Sequence, residues 1–489
     1  MKKTMNARLA ICGLCLLGFL TACDEEWIKP TPKPDPENKV TLKVNEFIYE
    51  GLRSEYLWEN TINWNAIDFK KEKDSHAFFK RLIYKDDRWT SLTDNAKAWT
   101  QAFAGVSTTY GFDLRFSYIG QTEELVAIVR YVYPGSPADR AGIRRGDLLL
   151  KLNGGPITVK NYADFYDKPT IVVNKGILKD KTLTAEPVGV AMTAVEMYQD
   201  PILKDTVINK DGHRVGYLCY SDYTERSTAE LIKVFTRFKT AGVTDVVLDL
   251  RYNGGGYVST ARALCSILAP EAAMKKKERF LFKLWNENYM SYWKSKGRND
   301  ELYETFVDTL GINMNLNRLY ILTGKGTASA SELTLTGLTP YMDVVQIGDT
   351  THGKFCGGIV LQPDYLARIK NWYYHNNKPV VSYQGIQNWG MYVMIYKFSN
   401  KRNDEFPRGF APKYVVKEYL LELYPFGDER DPLLGKALEL ITGKQVAKAR
   451  SRRIQPALRE LPIDNPNRPL NGKAIDTPPA GQRLFMSNK

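Results

Sequence analysis

The sequence predicts an α/β fold, because strand-like and helix-like segments alternate regularly after residue 214. Short apolar runs there alternate with stretches of helical periodicity, at 215–220, 227–241, 246–250, 259–268, 319–322, 331–338 and 344–347. This alternation is typical of parallel strands joined by helices. Two further observations are short strands with turn signals over 105–195 and a helical pattern over 44–104. We therefore expect an α/β core preceded by a β-rich module and a small helical domain.

Composition and patterning divide the 489 residues into six predicted segments. They are a signal peptide (1–22), a Pro- and Lys-rich tether (23–40), a helical domain (41–104), a β-rich domain (105–195), the α/β core (196–445) and a basic C-terminal tail (446–489).

The first 23 residues are typical of an exported protein. A basic start is followed by the apolar stretch 9–20, which is too short to span a bilayer. The following Leu-Thr-Ala-Cys resembles the lipobox of bacterial lipoproteins, which implies acylation of Cys23. The acidic run 24–26 resembles the surface-export signal of Bacteroidetes lipoproteins. We expect a cell-envelope protein anchored to the outer membrane by lipid, with surface exposure left open; the alternative is an ordinary signal peptide.

Charge and cysteine usage exclude several classes of site. The net charge is +13, but Lys and Arg are interspersed with Asp and Glu, which favours a solvated surface over a nucleic-acid partner. Beyond residue 23 the cysteines are Cys219, Cys265 and Cys356, an odd number that does not form a disulfide framework. Cys219 and Cys265 lie in apolar runs and are expected to be buried thiols, although one bridge remains open. Four dispersed histidines give no metal-site spacing, and no cofactor is expected.

Two glycine-rich loops follow predicted core strands, where open α/β sheets place their sites. The first, 249–256, reads Asp-Leu-Arg-Tyr-Asn-Gly-Gly-Gly and can offer backbone N–H groups to a phosphate or an oxyanion. Neither a P-loop nor a dinucleotide fingerprint is present. The second, 323–332, ends in Ala-Ser-Ala-Ser-Glu at a predicted helix start. Taken alone, Ser329 or Ser331 there would be read as a helix N-cap.

The order of three motifs changes that interpretation. "LDLRYNGGG", "TASASE" and "IGDTTHGK" together resemble the C-terminal-processing, or tail-specific, serine proteases. The resemblance implies a crotonase/Clp-like α/β protease core with Ser329 as nucleophile and Lys354 as general base, 25 residues further on. It also implies an oxyanion hole formed by the backbone N–H groups of Gly255 and Ala330.

The β-rich segment carries a second resemblance. Residues 135–155 contain "GSPADRAGIRRGD" and a strand ending in Asn-Gly-Gly, and this series resembles PDZ domains. The preceding Tyr110, Gly111, Phe112, Asp113 and Leu114 are similar to the PDZ loop that binds a terminal carboxylate while the peptide adds a strand to the sheet edge. A module that acts only as a spacer is the alternative.

The proposed base imposes a physical requirement. At an ordinary pKa, about one lysine in 2,500 is neutral at pH 7. We therefore expect Lys354 to be buried and to lack a carboxylate partner. Many relatives carry a supporting Gln four residues after the Lys, where this chain has Gly358; Gln362 is the candidate substitute. His352 is the alternative base, although no G-x-S-x-G elbow accompanies it.

The sequence thus predicts a serine endopeptidase that cleaves polypeptides near free C-termini. The alternatives are a peptide-binding lipoprotein with little or no activity and a polysaccharide-binding lipoprotein rich in Trp and Tyr. The expected partners are polypeptide tails and, through the lipid anchor, a membrane. The sequence does not predict an oligomeric state.

Overall fold

The computed structural model describes residues 36–179, 182–367, 383–445, 458–461 and 473–475. Cys23, the predicted signal peptide and most of the tether lie outside these ranges, as does most of the predicted tail. Within them, no helix combines the length and the apolar character needed to cross a bilayer.

The N-terminal segment is helical, as its periodicity predicts, and it packs as a layer of the core. It comprises helices α1 (Pro36–Glu55), α2 (Ser75–Leu82) and α3 (Ala96–Phe103), short 3-10 turns (Glu59–Thr61, Trp64–Ala66, Phe69–Lys71) and strand β1 (Ser91–Thr93). The Asp74 carboxylate caps α2 by accepting the N–H groups of the next turn. Phe47 and Leu52 of α1 are fully buried in the same apolar cluster as Leu218 and Leu248 of the core. The segment therefore shares its hydrophobic core with the α/β part of the chain.

The β-rich module supplies seven strands of an eight-stranded antiparallel sheet, and the C-terminal tail supplies the eighth. The elements of the module are β2 (Val106–Thr109), β3 (Phe112–Ile119), β4 (Glu124–Val132), α4 (Pro137–Arg140), β5 (Leu148–Leu152), β6 (Gly155–Thr158), α5 (Asp164–Asp167), β7 (Thr170–Lys179), β8 (Thr182–Ala185), β9 (Val190–Thr193) and β10 (Val195–Tyr198). Strand β10 pairs with β2 outside this sheet. Asn153 and Gly154 both adopt positive φ, which gives the tight hairpin that the Asn-Gly signal predicts.

The α/β core has one sheet whose inner strands are parallel. Its elements are β11 (Ile202–Lys210), β12 (His213–Tyr220), α6 (Ser227–Thr240), β13 (Asp245–Asp249), α7 (Val258–Leu268), α8 (Glu271–Lys275), β17 (Arg318–Thr323), α10 (Ala330–Leu338), β18 (Asp343–Gly348), β21 (Tyr414–Val415) and α11 (Pro432–Thr442). The strand order is β11-β12-β13-β17-β18-β21, and every neighbouring pair from β12 to β21 is parallel. The predicted alternation and parallel pairing are confirmed, with element ends shifted by one or two residues.

A second core sheet was not predicted. Its strands include β14 (Gly255–Tyr257), β15 (Arg279–Trp285), β16 (Tyr303–Thr305), β19 (Cys356–Leu361) and β20 (Gly390–Ser399). Helix α9 (Glu287–Ser295) and the 3-10 turn Asn299–Leu302 lie between β15 and β16. Strand β1 of the helical segment pairs with β20.

Two short strands of the C-terminal tail each join a different sheet. Strand β22 (Leu458–Glu460) pairs antiparallel with β3 at the edge of the PDZ-like sheet. Strand β23 (Lys473–Ile475) lies between β14 and β19 and runs parallel to both.

Candidate active site

Ser329 lies in a strained turn between β17 and α10. Its backbone adopts φ 60° and ψ −110°, a conformation that costs a non-glycine residue on the order of 1–3 kcal/mol. The turn is held by neighbouring main chain, since Thr327 Oγ1 donates to the Leu250 carbonyl at 2.7 Å and the Ala328 N–H donates to Asn253 O at 3.1 Å. Ser329 is fully buried, and its Oγ makes no hydrogen bond within the described ranges. A strained backbone that holds a buried hydroxyl without a hydrogen-bond partner is typical of a positioned nucleophile.

Glu332 ties this turn to the loop that carries Lys354. Its carboxylate accepts the Ser329 N–H at 2.7 Å and, across the site, the N–H groups of Gly353 at 2.6 Å and Lys354 at 2.9 Å. It also accepts the Thr351 hydroxyl at 2.6 Å. Burial raises its pKa to about 7, against the opposing effect of these hydrogen bonds. The sequence analysis gave Glu332 no role in the site and missed this link.

Lys354 is fully buried, as its proposed chemistry requires. Its ammonium donates to the Tyr392 hydroxyl at 3.0 Å and lies 4.7 Å from the centroid of that ring. The Trp89 ring centroid is 5.8 Å away. Burial lowers the Lys354 pKa from 10.5 to about 8. About one Lys354 side chain in ten is then neutral at pH 7.

Gln362, the predicted support for Lys354, lies too far from the Lys354 side chain to contact it. Lys354 precedes β19, whereas Gln362 follows its last residue, and its carbonyl accepts the N–H groups of Tyr365 and Leu366. A six-residue strand rises about 20 Å, so the two side chains lie at opposite ends of β19. The contact to Lys354 comes instead from Tyr392 on the neighbouring β20, which no local motif marks.

The predicted oxyanion donors lie beside the Ser329 turn. Ala330 is the first residue of α10, so its N–H has no carbonyl partner within the helix. The Gly255 N–H donates to Asn253 Oδ1 at 2.8 Å, and Asn253 Nδ2 donates to the Tyr220 carbonyl. The Gly255 donor is therefore engaged within the chain in this arrangement, and its part in an oxyanion hole stays a prediction.

His352, the alternative base, lies on the same loop as Lys354. Its main-chain N–H donates to the Thr327 carbonyl at 2.9 Å, and the side chain is half-buried. The loop is thus tied to the Ser329 turn at a second point besides Glu332.

A buried ion network joins the first glycine loop to the β-rich module. Arg251 donates to Asp249, and it contacts Asp431 through two hydrogen bonds of 2.8 and 2.9 Å. Glu418 accepts from both Arg251 and Arg145, at 2.9 and 2.8 Å.

The Glu418 carboxylate in that network is strongly perturbed. Burial alone would raise its pKa, but the charges of Arg251 and Arg145 lower it to about 2. Arg145 follows the PDZ-like turn, while Arg251 precedes the glycines of the candidate oxyanion hole. The network therefore connects the two functional modules through charges.

The predicted carboxylate-binding loop, 110–114, leads into β3 and includes its first residues. Gly111 adopts φ 82°, and a Cβ there would lie 2.1 Å from the Ser136 Cβ, so only glycine fits. Phe112 and Leu114 are buried, and Asp113 forms an ion pair with Arg130. The Tyr110 hydroxyl donates to the Lys168 carbonyl at 2.5 Å.

A cavity of about 600 Å³ opens beside this loop. Aromatic side chains line it, including Trp99 of α3, Phe112 of β3, Phe165 of α5 and Tyr110, which precedes β3.

Comparison with known families matches all three parts of this architecture. Residues 214–365 match peptidase family S41, residues 128–168 match a PDZ domain, and residues 43–91 match the peptidase S41 N-terminal domain. The S41 models cover part of the chain, which is similar to that family over its core and its N-terminal helices. An S41 peptidase is a serine hydrolase, which agrees with the buried serine at the turn before α10. The three matched stretches fall inside the predicted helical, β-rich and core segments.

Curated proteins similar to this chain include bacterial proteases. A CtpA-like serine protease of Staphylococcus aureus is 26% identical over 303 residues, covering 60% of this chain and 55% of the relative. The chain therefore spans about half the length of that relative. A carboxyl-terminal-processing protease of a Picosynechococcus species is 23% identical over 382 residues, covering 77% of this chain and 80% of the relative.

A solved S41 protease structure from Bacteroides fragilis superposes on the fold. It is 27% identical, has a TM-score of 0.65, and covers 81% of this chain and 97% of the solved chain.

Proposed function

We propose that this protein is an endopeptidase in which Ser329 and Lys354 form a catalytic dyad. The observation that carries the proposal is the buried Lys354 ammonium with a pKa lowered to about 8, on a loop that Glu332 ties to the Ser329 turn. A lysine with this pKa can accept a proton near neutral pH, which an exposed lysine cannot do efficiently.

The reaction is acyl transfer in two steps. The Ser329 oxygen attacks the scissile carbonyl carbon while neutral Lys354 accepts the hydroxyl proton. The C–N bond then breaks, and the departing amine takes that proton from Lys354. Water releases the acyl group by the same route, with Lys354 again accepting and returning a proton. Backbone N–H groups at Ala330 and in the glycine loop would bind the oxyanion.

The dyad is tested by single substitutions and a matched lysine control. Ser329→Ala and Lys354→Ala are each expected to lower kcat/KM on a peptide with an apolar free C-terminus by at least about 10³-fold. Lys325→Ala removes an exposed lysine from the loop that carries Ser329 and should leave the rate unchanged. If His352→Ala abolishes cleavage while Lys354→Ala retains it, the base assignment is wrong.

We further propose that the PDZ domain binds the substrate's C-terminal tail. The supporting features are the glycine-dependent turn at Gly111 and the aromatic cavity beside it. Extended peptides add a strand to PDZ sheets and place their carboxylate at such a loop. Amidation of the substrate's C-terminus should therefore raise KM with little change in kcat, and an unchanged KM would contradict this role.

One observation favours the second candidate, a peptide-binding protein with little activity. The Gly255 N–H donates to Asn253 rather than standing ready for an oxyanion. Wild-type protein that binds tail peptides but cuts no faster than Ser329→Ala would establish that alternative.

We propose that the protein is held at the bacterial outer membrane through lipidated Cys23. The apolar leader and the Leu-Thr-Ala-Cys sequence support this. Metabolic labelling with palmitate should mark the wild type and not Cys23→Ser, and equal labelling of both would contradict it.

A further inference from the structure

The edge of PDZ strand β3 is covered by the chain's own C-terminal tail. In the antiparallel register, Leu458 pairs with Ile119 and Glu460 with Ser117. The tail therefore runs toward the 110–114 loop at the start of β3. Leu461 is only 3% exposed and packs in the apolar cluster of the PDZ domain. This is the placement and direction that an added peptide strand takes on a PDZ edge.

A second piece of the tail lies beside the candidate oxyanion loop. Strand β23 pairs in parallel with β14, with Gly255 opposite Lys473 and Gly256 opposite Ala474. On its other side, Ile475 pairs with Gly358, four residues after Lys354. The tail thus fills a strand position between the two loops that carry the proposed chemistry.

The hydrogen bonds of β14 show which of its groups face the tail. On one edge of β14, the Tyr223 N–H donates to the Gly255 carbonyl, and the Tyr223 carbonyl accepts the Tyr257 N–H. Successive residues of a strand direct their backbone groups to opposite edges. The N–H and C=O of Gly256 therefore face β23, where a substrate backbone in a protease cleft would pair.

The order of the two pieces differs from that of a substrate. A substrate whose C-terminus binds the PDZ domain would place an upstream segment in the cleft. In the tail, the PDZ-bound piece (458–461) precedes the cleft-bound piece (473–475). The tail therefore occupies both edges at once without being threaded as a substrate would be.

We propose that 458–461 and 473–475 are a built-in competitor that masks both peptide-binding edges of this protein. The partner that displaces it is an extended polypeptide tail with an apolar side chain at the position Leu461 occupies. The inference rests on the proposed function. A tethered segment has an effective concentration on the order of mM, so a tail whose own affinity for the edge is about 0.1 mM would weaken the binding of a competing peptide roughly tenfold.

Binding to the full chain tests the PDZ part without any turnover. The probe is a labelled peptide Pro-Ala-Leu-Arg-Glu-Leu with a free carboxylate, added to Ser329→Ala protein and followed by fluorescence anisotropy. Leu461→Asp should release the tail and tighten binding roughly tenfold, whereas the matched Leu461→Met should not. Equal affinity in all three folded proteins would overturn the proposal.

Hydrogen exchange keeps the proposal testable if Leu461→Asp does not fold. In the unaltered chain, edge-facing amides of β3 between Ser117 and Ile119 should be protected, and excess peptide should keep them protected. Glu460→Pro, which removes a backbone N–H, should expose them. Rapid exchange of these amides in the unaltered chain would show an open edge and refute the proposal.

Hydrolysis rates test the cleft part. Ala474→Pro should raise kcat/KM several-fold relative to Ala474→Ser, which keeps the backbone N–H. Equal rates in the two variants would overturn masking of the cleft. A chain that shows the binding changes but never cuts would refute the proposed protease function and leave the PDZ mask standing. A chain that cuts but shows neither change would do the reverse.

Discussion

Two buried cations in this protein have opposite surroundings. The guanidinium of Arg251 is bound by three carboxylates, and the ammonium of Lys354 contacts a tyrosine hydroxyl and lies against aromatic rings. Burial alone would lower both pKa values, but the carboxylates raise that of Arg251 well above its ordinary value, while that of Lys354 falls to about 8. The carboxylates therefore keep the Arg251 charge permanent, whereas burial makes the Lys354 charge exchangeable. The first suits a structural junction and the second a proton acceptor.

Removal of the Lys354 charge should have the largest effect on activity. Lys354→Met should lower kcat/KM by at least about 10³-fold, because no base remains at that position. The melting temperature should stay the same or rise, since an apolar side chain avoids the desolvation of an ammonium. Initial rates and calorimetry measure the two effects. Retained activity, or a large loss of stability, would show that Lys354 is the structural cation.

The matching change in the network should have the opposite signature. Arg251→Met leaves three carboxylates near one another with only Arg145 to offset their charge, and it should cost about 3–5 kcal/mol of unfolding free energy. Arg318→Met, which removes an exposed ion pair with Asp343, should cost less than about 1 kcal/mol. Chemical denaturation compares the two, and similar small losses would mean that the buried network is not a structural junction.

Sequence patterns predicted the parts of the site that are local. The Ser329 turn and the Lys354 loop each follow a core strand, so apolar periodicity together with a short motif located both. The contacts between distant segments left no such signal. Tyr392 follows Lys354 by 38 residues on another strand, and Arg145 reaches Glu418 across 273 residues. A tyrosine in a β-rich run gives no indication of which buried group its hydroxyl will meet.

The tail strands were missed for a different reason. The sequence predicted only a basic C-terminal tail, because three-residue strands such as Leu458–Glu460 are too short to show alternation. Their pairing depends on open edges at β3 and β14, which exist only once the fold has formed. The predicted contact between Gln362 and Lys354 was wrong because the length of β19 keeps the two side chains apart.

The stability that Glu418 contributes to the buried ion network should depend on pH. The folded-state pKa of Glu418 is about 2, below its ordinary 4.5, so its stabilisation is complete above pH 4.5 and is lost as pH falls toward 2. Glu418→Gln should therefore cost about 3 kcal/mol at pH 7 and much less near pH 2. Glu429→Gln, in a more exposed pair with Lys210, is the control. A pH-independent cost would contradict the charge-based account of Glu418.

The smallest expected effect concerns the hydroxyl that holds Lys354. Tyr392 accepts a hydrogen bond from the ammonium, which favours the charged form, so Tyr392→Phe should lower the Lys354 pKa. Activity of the wild type should rise as pH increases through about 8, because deprotonation creates the base. In Tyr392→Phe that rise should move to lower pH, while kcat falls roughly tenfold from lost positioning. Tyr396→Phe, four residues along the same strand, should shift neither. If the pH profile of Tyr392→Phe matches the wild type and only stability drops, Tyr392 packs against Lys354 without tuning it, and the lysine's low pKa is a property of burial alone.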